Sequence, residues 1–393
     1  MSQSNLILTD TTLTVVLQER IDTLTTAELD KTLEEALGQL ASRNLVLDAC
    51  RLEYISSMGL RSLFSLRKKV PYRLVNVSGS VYDVLTTVGF DTVIEIEKAM
   101  RVIDLEGCQV IGHGINGTVY RLSDDLIAKI YAENIPLDLI NQERKFAQAA
   151  FLSGLPTAIS YDTVKSGNKY GIVFELLDAK PFADKIHGKP ENFAHYSEVY
   201  AQTLKQIHST EADVTVLPSA AEKYHGWVDQ LAHLYTDYER EQMHKMINSL
   251  PERHTTIHGD YHTKNILMQG EQMLLIDMAD VSYGQPMFDF ACTAMTNKFY
   301  PTTMPETTYT FMGADAPEML RLWRSLLEKY FDTTDEARIR EIDEYMTRFA
   351  LLRYALQPAP IPQLEPEMVQ KIVADAREQL FPYIDEVVGK NFF

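Results

Sequence analysis

The segment TTIHGDYHTKNILMQGEQMLLIDMADVSYGQPMFDFA constrains this chain more than any other. It sets His258, Asp260 and Asn265 in the spacing H-x-D-x-x-x-x-N, with Asp277 twelve residues beyond Asn265 at the end of the apolar run MLLID. Transfer of a phosphoryl group needs such a set. One carboxylate accepts or orients the proton of a hydroxyl acceptor, while an amide oxygen and a second carboxylate hold Mg2+ against the phosphates, where the metal neutralises developing charge. Asp260 suits the first role, Asn265 and Asp277 the second. His258 reads as structural, shaping the loop by hydrogen bonds rather than carrying a proton.

Upstream, VIGHGINGTVYRLSDDLIAKIY places Gly112, Gly114 and Gly117 as G-x-G-x-x-G, followed by Val119. The motif alone also occurs in dinucleotide-binding turns, which need a strand before it and a helix directly after. Here Thr118–Leu122 is β-branched and aromatic and leads to Ile127–Tyr131, so two strands flank the glycines. Such a hairpin can close over a nucleotide, because glycines let the backbone approach phosphates without a Cβ clash. Lys129 on the second strand then reaches the α- and β-phosphates. The spacing predicts a helix over Leu137–Leu152, from which Glu143 can form the ion pair that holds such a lysine, with Asp138 the alternative partner.

With these residues in place, residues 107–393 resemble the aminoglycoside phosphotransferase and choline kinase type of kinase-like fold. The resemblance implies an α+β architecture, with a β-sheet N-lobe over about 103–178 and a helical C-lobe over 179–393, in which the sequence reads as helical over Glu198–His208, Gly313–Tyr330, Thr334–Leu351 and Glu367–Tyr383. It implies Asp260 as catalytic base, Asn265 and Asp277 as Mg2+ ligands, and Asp289 in PMFDFA as a brace for the catalytic loop. ATP would be held by the three glycines, Lys129 and Glu143, and by backbone groups at Glu175 and Leu177, where related folds meet adenine. Gly259 stands where protein kinases have the arginine of H-R-D, so an arginine-docked activation-loop phosphate is not expected to gate the site. Asp280 departs from the glycine of D-F-G and reads either as a metal or substrate ligand or as an exposed side chain.

The first hundred residues alternate strand and helix. Strands are expected at Leu6–Leu8, Leu13–Leu17, Asn44–Leu47, Tyr72–Val77 and Thr92–Ile96, and helices at Thr26–Leu40, Ser57–Lys69 and Val81–Val88. That order predicts an α/β domain with a mixed sheet faced by helices. Asp22 in QERIDTLTTAEL and the run I-S-S-M-G-L resemble the STAS domain of anti-sigma factor antagonists. The resemblance implies Ser57 as a regulatory phosphoacceptor, although Ser56 stands where many phosphorylated members have aspartate, and it implies an anti-sigma-like protein partner. The boundary between the STAS domain (1–102) and the phosphotransferase domain (103–393) falls near Arg101–Gly107, where strand-like sequence gives way to glycines.

Charge narrows the partners. The first 100 residues carry 13 acidic and 10 basic side chains, leaving −15 of the net −18 to the rest. Such a chain repels phosphate backbones, so nucleic acid is not an expected partner, whereas a cationic small-molecule acceptor is compatible. No stretch approaches the roughly 20 uninterrupted apolar residues of a membrane span. Three cysteines far apart in sequence (Cys50, Cys108, Cys292) make no disulfide framework, and no signal-peptide pattern opens the chain, so a cytoplasmic location is expected. The leading expectation is a phosphotransferase with a regulatory STAS module. The alternative is a partner-switch protein whose kinase fold senses nucleotide or phosphorylates Ser57.

Overall fold

The structure is a computed structural model that describes residues 6–114 and 116–393. The chain divides into two compact units, Met1–Ile103 and Asp104–Phe393. In the first unit the sheet order is Leu6–Leu8, Thr12–Val16, Asn44–Asp48, Tyr72–Val77, Glu95–Lys98. The first pair is antiparallel and the other pairs are parallel, which makes the sheet mixed. Thr12–Val16 alternates half-buried and buried residues, the period-2 pattern of a strand with one face on a core. Leu13, Val15, Leu47, Leu74 and Val77 form that core with Leu29, Leu33 and Leu63 from the helices Thr26–Gln39 and Ser57–Lys69.

The last strand begins three residues later than the sequence suggested. Phe90–Thr92 is a turn of 3-10 helix, and pairing starts at Glu95. Buried Phe90 and Ile94 make helix-like spacing there, so the apolar pattern of Thr92–Ile96 belonged to the turn rather than to the strand.

Helix Ser57–Lys69 opens on Ser56, whose hydroxyl accepts a hydrogen bond from Gly59 N, and closes on Arg67, Lys68 and Lys69, which suit the negative end of the helix. Its first turn is pressed against the short strand Arg20–Ile21: Ser56 N donates to Ile21 O at 2.8 Å. A Cβ on Gly59 would stand 2.4 Å from Ile21 Cγ2 and 3.0 Å from Ile55 Cγ1, so only glycine admits this approach.

In the second unit, antiparallel strands follow the order Ser160–Ser166, Lys169–Glu175, Leu126–Tyr131, Gly117–Arg121, Gln109–Gly114. Helix Leu137–Leu152 packs against this sheet through Ile140, Glu143, Phe146 and Ala147, the spacing of a single helical face. The remainder is mostly helical. The helix expected over Glu198–His208 runs Phe193–Ser209, and the one expected over Gly313–Tyr330 starts at Ala316, because Gly313 caps the preceding helix Pro305–Met312 in a left-handed conformation. A third, expected over Thr334–Leu351, spans Glu336–Ala355, and the one expected over Glu367–Tyr383 spans Pro366–Gln379 and passes into 3-10 helix. Among the described residues, no helix is long and apolar enough to cross a membrane.

The Gly59 contact is testable. Gly59→Ala should destabilise the first unit by about 1–3 kcal/mol, despite alanine's better helix propensity. Hydrogen exchange of the peptide Ser57–Lys69 would show lost protection, and Ile21→Ala, which removes Cγ2, should cost less in the Gly59→Ala background than in the parent, because the two side chains contest the same space.

Candidate functional site

Strand register places the glycines and Lys129. Gly112 lies opposite Val119, Val119 opposite Lys129, and Lys129 opposite Ile172, so these four share one face of the sheet. Gly117 lies opposite Gly114 at the hairpin end. Lys129 therefore projects from the face that carries the glycines. Its Nζ donates to Glu143 Oε1 at 2.8 Å and to Asp277 Oδ1 at 3.0 Å. Asp138, the alternative partner, lies in the first turn of the same helix, off the face that carries Glu143.

Electrostatics follow from burial and pairing. Burial pushes the Glu143 carboxyl up, with Lys129 opposing. For Lys129, burial disfavours the charge, but Asp277 and Glu143 outweigh it and its pKa is raised, so it stays an ammonium.

Residues 258–265 lie between the strands Thr255–Ile257, which pairs with Ser282–Gly284, and Ile266–Gln269, which pairs with Gln272–Leu275. Asn265 is buried, and its Nδ2 donates to Asp260 Oδ2 at 2.7 Å and to Asp260 O at 3.0 Å. The amide hydrogens are thus turned to Asp260, leaving Oδ1 as the atom for a cation. Ile276 N donates to Asn265 O at 3.0 Å, which ties the strand bearing Asp277 to the loop. Asp277 has φ 63° and ψ 70°, a left-handed conformation that is strained for a side chain with a Cβ, and its carboxylate is about half-exposed. A carbonyl oxygen and an exposed carboxylate are a donor set that fits a hard divalent cation.

Asp289 is fully buried. Its Oδ1 accepts from Gly259 N at 2.6 Å, and its Oδ2 accepts from His258 N at 2.9 Å and faces His208 Nε2 at 3.0 Å. Gly259 has φ 83°, and a Cβ there would stand 2.4 Å from Asp280 O. The arginine of H-R-D is sterically excluded at this position. His258 Nδ1 accepts from Asp260 N at 3.3 Å, a contact within the loop.

Several neighbours escaped the sequence reading. His262 Nδ1 accepts from Lys264 N at 3.2 Å, which leaves Nε2 as the protonated nitrogen, 3.2 Å from Asp260 Oδ2. Buried Cys292 places its thiol 3.3 Å from Asp260 Oδ1. Burial would raise the Asp260 pKa, but His262, His258 and Cys292 hold it well below the usual carboxylate range. Asp280 is partly exposed and pairs with Lys223. At the strand end, Leu176 N donates to Asp125 O, and Leu177 N finds no acceptor among the described residues.

Asp289 gives a direct test. Asp289→Ala leaves the N–H groups of His258 and Gly259, and His208, without their acceptor and should cost about 3–5 kcal/mol. Asp289→Asn keeps one oxygen and should cost about 1–3 kcal/mol. Both tryptophans, Trp227 and Trp323, lie in the second unit, so urea unfolding followed by tryptophan fluorescence reads this unit alone.

The model of the phosphotransferase enzyme family APH matches residues 107–328, and that of the STAS domain matches residues 4–126. No curated protein matches. Among solved structures, the streptomycin–ATP–APH(2″)-IIa ternary complex is 14% identical with a TM-score of 0.46, covering 79% of this chain and 98% of that one. A choline/ethanolamine kinase family protein from Mesorhizobium loti is 14% identical with a TM-score of 0.48, covering 72% and 92%. Amicoumacin kinase hAmiN, in complex with AMP-PNP and Ca2+, is 13% identical with a TM-score of 0.44, covering 79% and 96%. With its family model spanning more than half of the sequence, the chain belongs to the phosphotransferase enzyme family and carries a STAS domain ahead of the kinase-like unit.

Proposed function

We propose that this chain transfers the γ-phosphoryl group of ATP to a hydroxyl of a small molecule, with Mg2+ as its metal and the STAS domain as a regulatory or partner-binding module. One observation carries the reading. Lys129 from the sheet and Glu143 from its helix meet the segment 260–277: Lys129 Nζ bonds to Glu143 and Asp277, Ile276 N bonds to Asn265 O, and Asn265 Nδ2 bonds to Asp260.

In this reading Lys129 and the glycine hairpin bind the phosphates, and the unpartnered N–H of Leu177 is offered to adenine. Asn265 Oδ1 and the Asp277 carboxylate would hold Mg2+, which when bound neutralises charge on the phosphates. The acceptor oxygen forms a bond to the γ-phosphorus as the bond from that phosphorus to the bridging oxygen breaks. ADP keeps the electron pair, and the hydroxyl proton passes to Asp260. Because such transition states are loose, orienting the hydroxyl matters more than early proton removal. His262 and Asn265, both on Oδ2, and Cys292 on Oδ1 fix the Asp260 carboxylate for that task.

Ser57 supports a second acceptor. It is exposed at the first position of its helix, and Ser56 does the capping, so no hydrogen bond engages the Ser57 hydroxyl among the described residues. A phosphate there would meet the positive end of the helix. An anti-sigma-like protein is the partner class that this switch would serve.

Asp260→Ala and Asp277→Asn should each lower phosphoryl transfer by about 10²–10⁴-fold or more, measured as ADP released with acceptor present. Intact mass after incubation with ATP and Mg2+ separates the acceptors. A single phosphoryl gain, absent in Ser57→Ala and Asp277→Asn, identifies Ser57. An unchanged mass alongside acceptor-dependent ADP release identifies a small molecule. Full activity in Asp260→Ala or Asp277→Asn would refute the assignment.

A further inference from the structure

Arg353 lies in the last turn of helix Glu336–Ala355, which packs against the helix carrying Asp289 and Cys292. Its guanidinium carbon stands 4.6 Å from the centre of the Trp227 ring and 6.0 Å from that of Tyr224. Its Nη1 is buried without a hydrogen-bond partner, and no ion pair or hydrogen bond engages any of its nitrogens among the described residues. Two other arginines have a buried nitrogen without a partner, but each is anchored through another nitrogen: Arg144 to Tyr161 O, and Arg240 to Asp237.

The surroundings explain why this cation has no internal partner. Lys223 Nζ lies 5.2 Å from the same Trp227 ring and takes the Asp280 carboxylate, and Asp280 packs on Gly259, beside Asp260. The oxygens of Asp260 face Cys292, Asn265 and His262. Cys292, whose thiol meets Asp260, sits on the helix against which the helix of Arg353 packs. The nearby carboxylates are therefore committed elsewhere. A buried guanidinium nitrogen without an acceptor is costly, and a chain tolerates one where a ligand completes it.

We propose that the acceptor carries an oxyanion, either a carboxylate or a phosphate, which Arg353 binds beside Asp260 while the Trp227 ring supports the guanidinium. This rests on the phosphotransferase reading for its chemistry and names the class of its acceptor. Arginine suits the task because its planar fork offers two parallel N–H groups to a planar carboxylate or to a phosphate. The −15 net charge of the second part does not by itself set the charge at this position. The local cation favours an anionic hydroxyl compound over a cationic one.

The test follows tryptophan fluorescence of the full chain, with Trp227→Phe assigning the signal. Glycerate, glycerol 3-phosphate, glycerol and choline are titrated with and without AMP-PNP and Mg2+. Glycerate and glycerol 3-phosphate separate the carboxylate from the phosphate, and the other two report uncharged and cationic compounds. At least one anion should saturate the signal, and Arg353→Gln should weaken it by about tenfold or more. Arg353→Lys should weaken it less, and Arg353→Gln should bind AMP-PNP like the parent, which shows that it is folded. Saturation by neither anion, an anion affinity unchanged in Arg353→Gln, or tighter binding of choline than of both anions would overturn the proposal. Failure of AMP-PNP to bind the parent chain would refute the nucleotide reading instead, and the titrations without nucleotide would still decide the role of Arg353.

Discussion

The buried carboxylate of Asp289 is the constraint on which the site depends. It takes the backbone N–H groups of His258 and Gly259 and faces His208, which in turn meets the Tyr330 hydroxyl at 2.8 Å. Tyr330 and Phe290 pack edge to face with their centres 4.8 Å apart. The loop that aims Asp260 thus hangs from a charge sunk in an aromatic core. A charge removed from water is stable only when its lone pairs are filled, so the geometry of the loop and the solvation of Asp289 are one requirement.

Gly259 and Asp277 occupy left-handed backbone on the two sides of Asn265. At Gly259 the conformation is forced by the close approach of Asp280, and at Asp277 it is carried by a residue with a Cβ. Strain at Asp277 is held by its neighbours, namely the bond from Ile276 N to Asn265 and the ammonium of Lys129. Positions of this kind persist where the surroundings over-determine them.

What the sequence disclosed and what it hid follow one physical distinction. The set His258, Asp260, Asn265 and Asp277 sits in one contiguous strand–loop–strand, so spacing along the chain carries its geometry. The glycine hairpin and Lys129 are likewise local, fixed by the two-residue period of paired strands. Glu143 against Asp138 was decided by helical period, because Glu143 shares a face with Ile140, Phe146 and Ala147. Cys292 and Lys223 reach the site from distant elements, and nothing in FACTA or AEKYH marks them. His262 was within reach of spacing, two residues from Asp260 in the same run. Arg353 lay beyond the expected end of its helix at Leu351, and no motif marks it. In the first unit the mixed α/β order was legible except for the two-residue strands Arg20–Ile21 and Tyr54–Ile55, too short to leave a pattern, and for the boundary at Phe90–Ile94, where a 3-10 turn mimics a strand's apolar content.

The double pairing of Lys129 also changes how the loss of that side chain should be interpreted. Its ammonium separates two carboxylates, one buried on a helix and one exposed at a strand end, whose charges would otherwise repel. Replacing it with a neutral residue removes a cation and also releases Glu143 and Asp277 from each other. The damage then extends to the helix orientation and to the Asp277 carboxylate together. A rate measured at this position is a property of the triad, and a partition into single contacts has meaning only when Glu143 is varied in the same background.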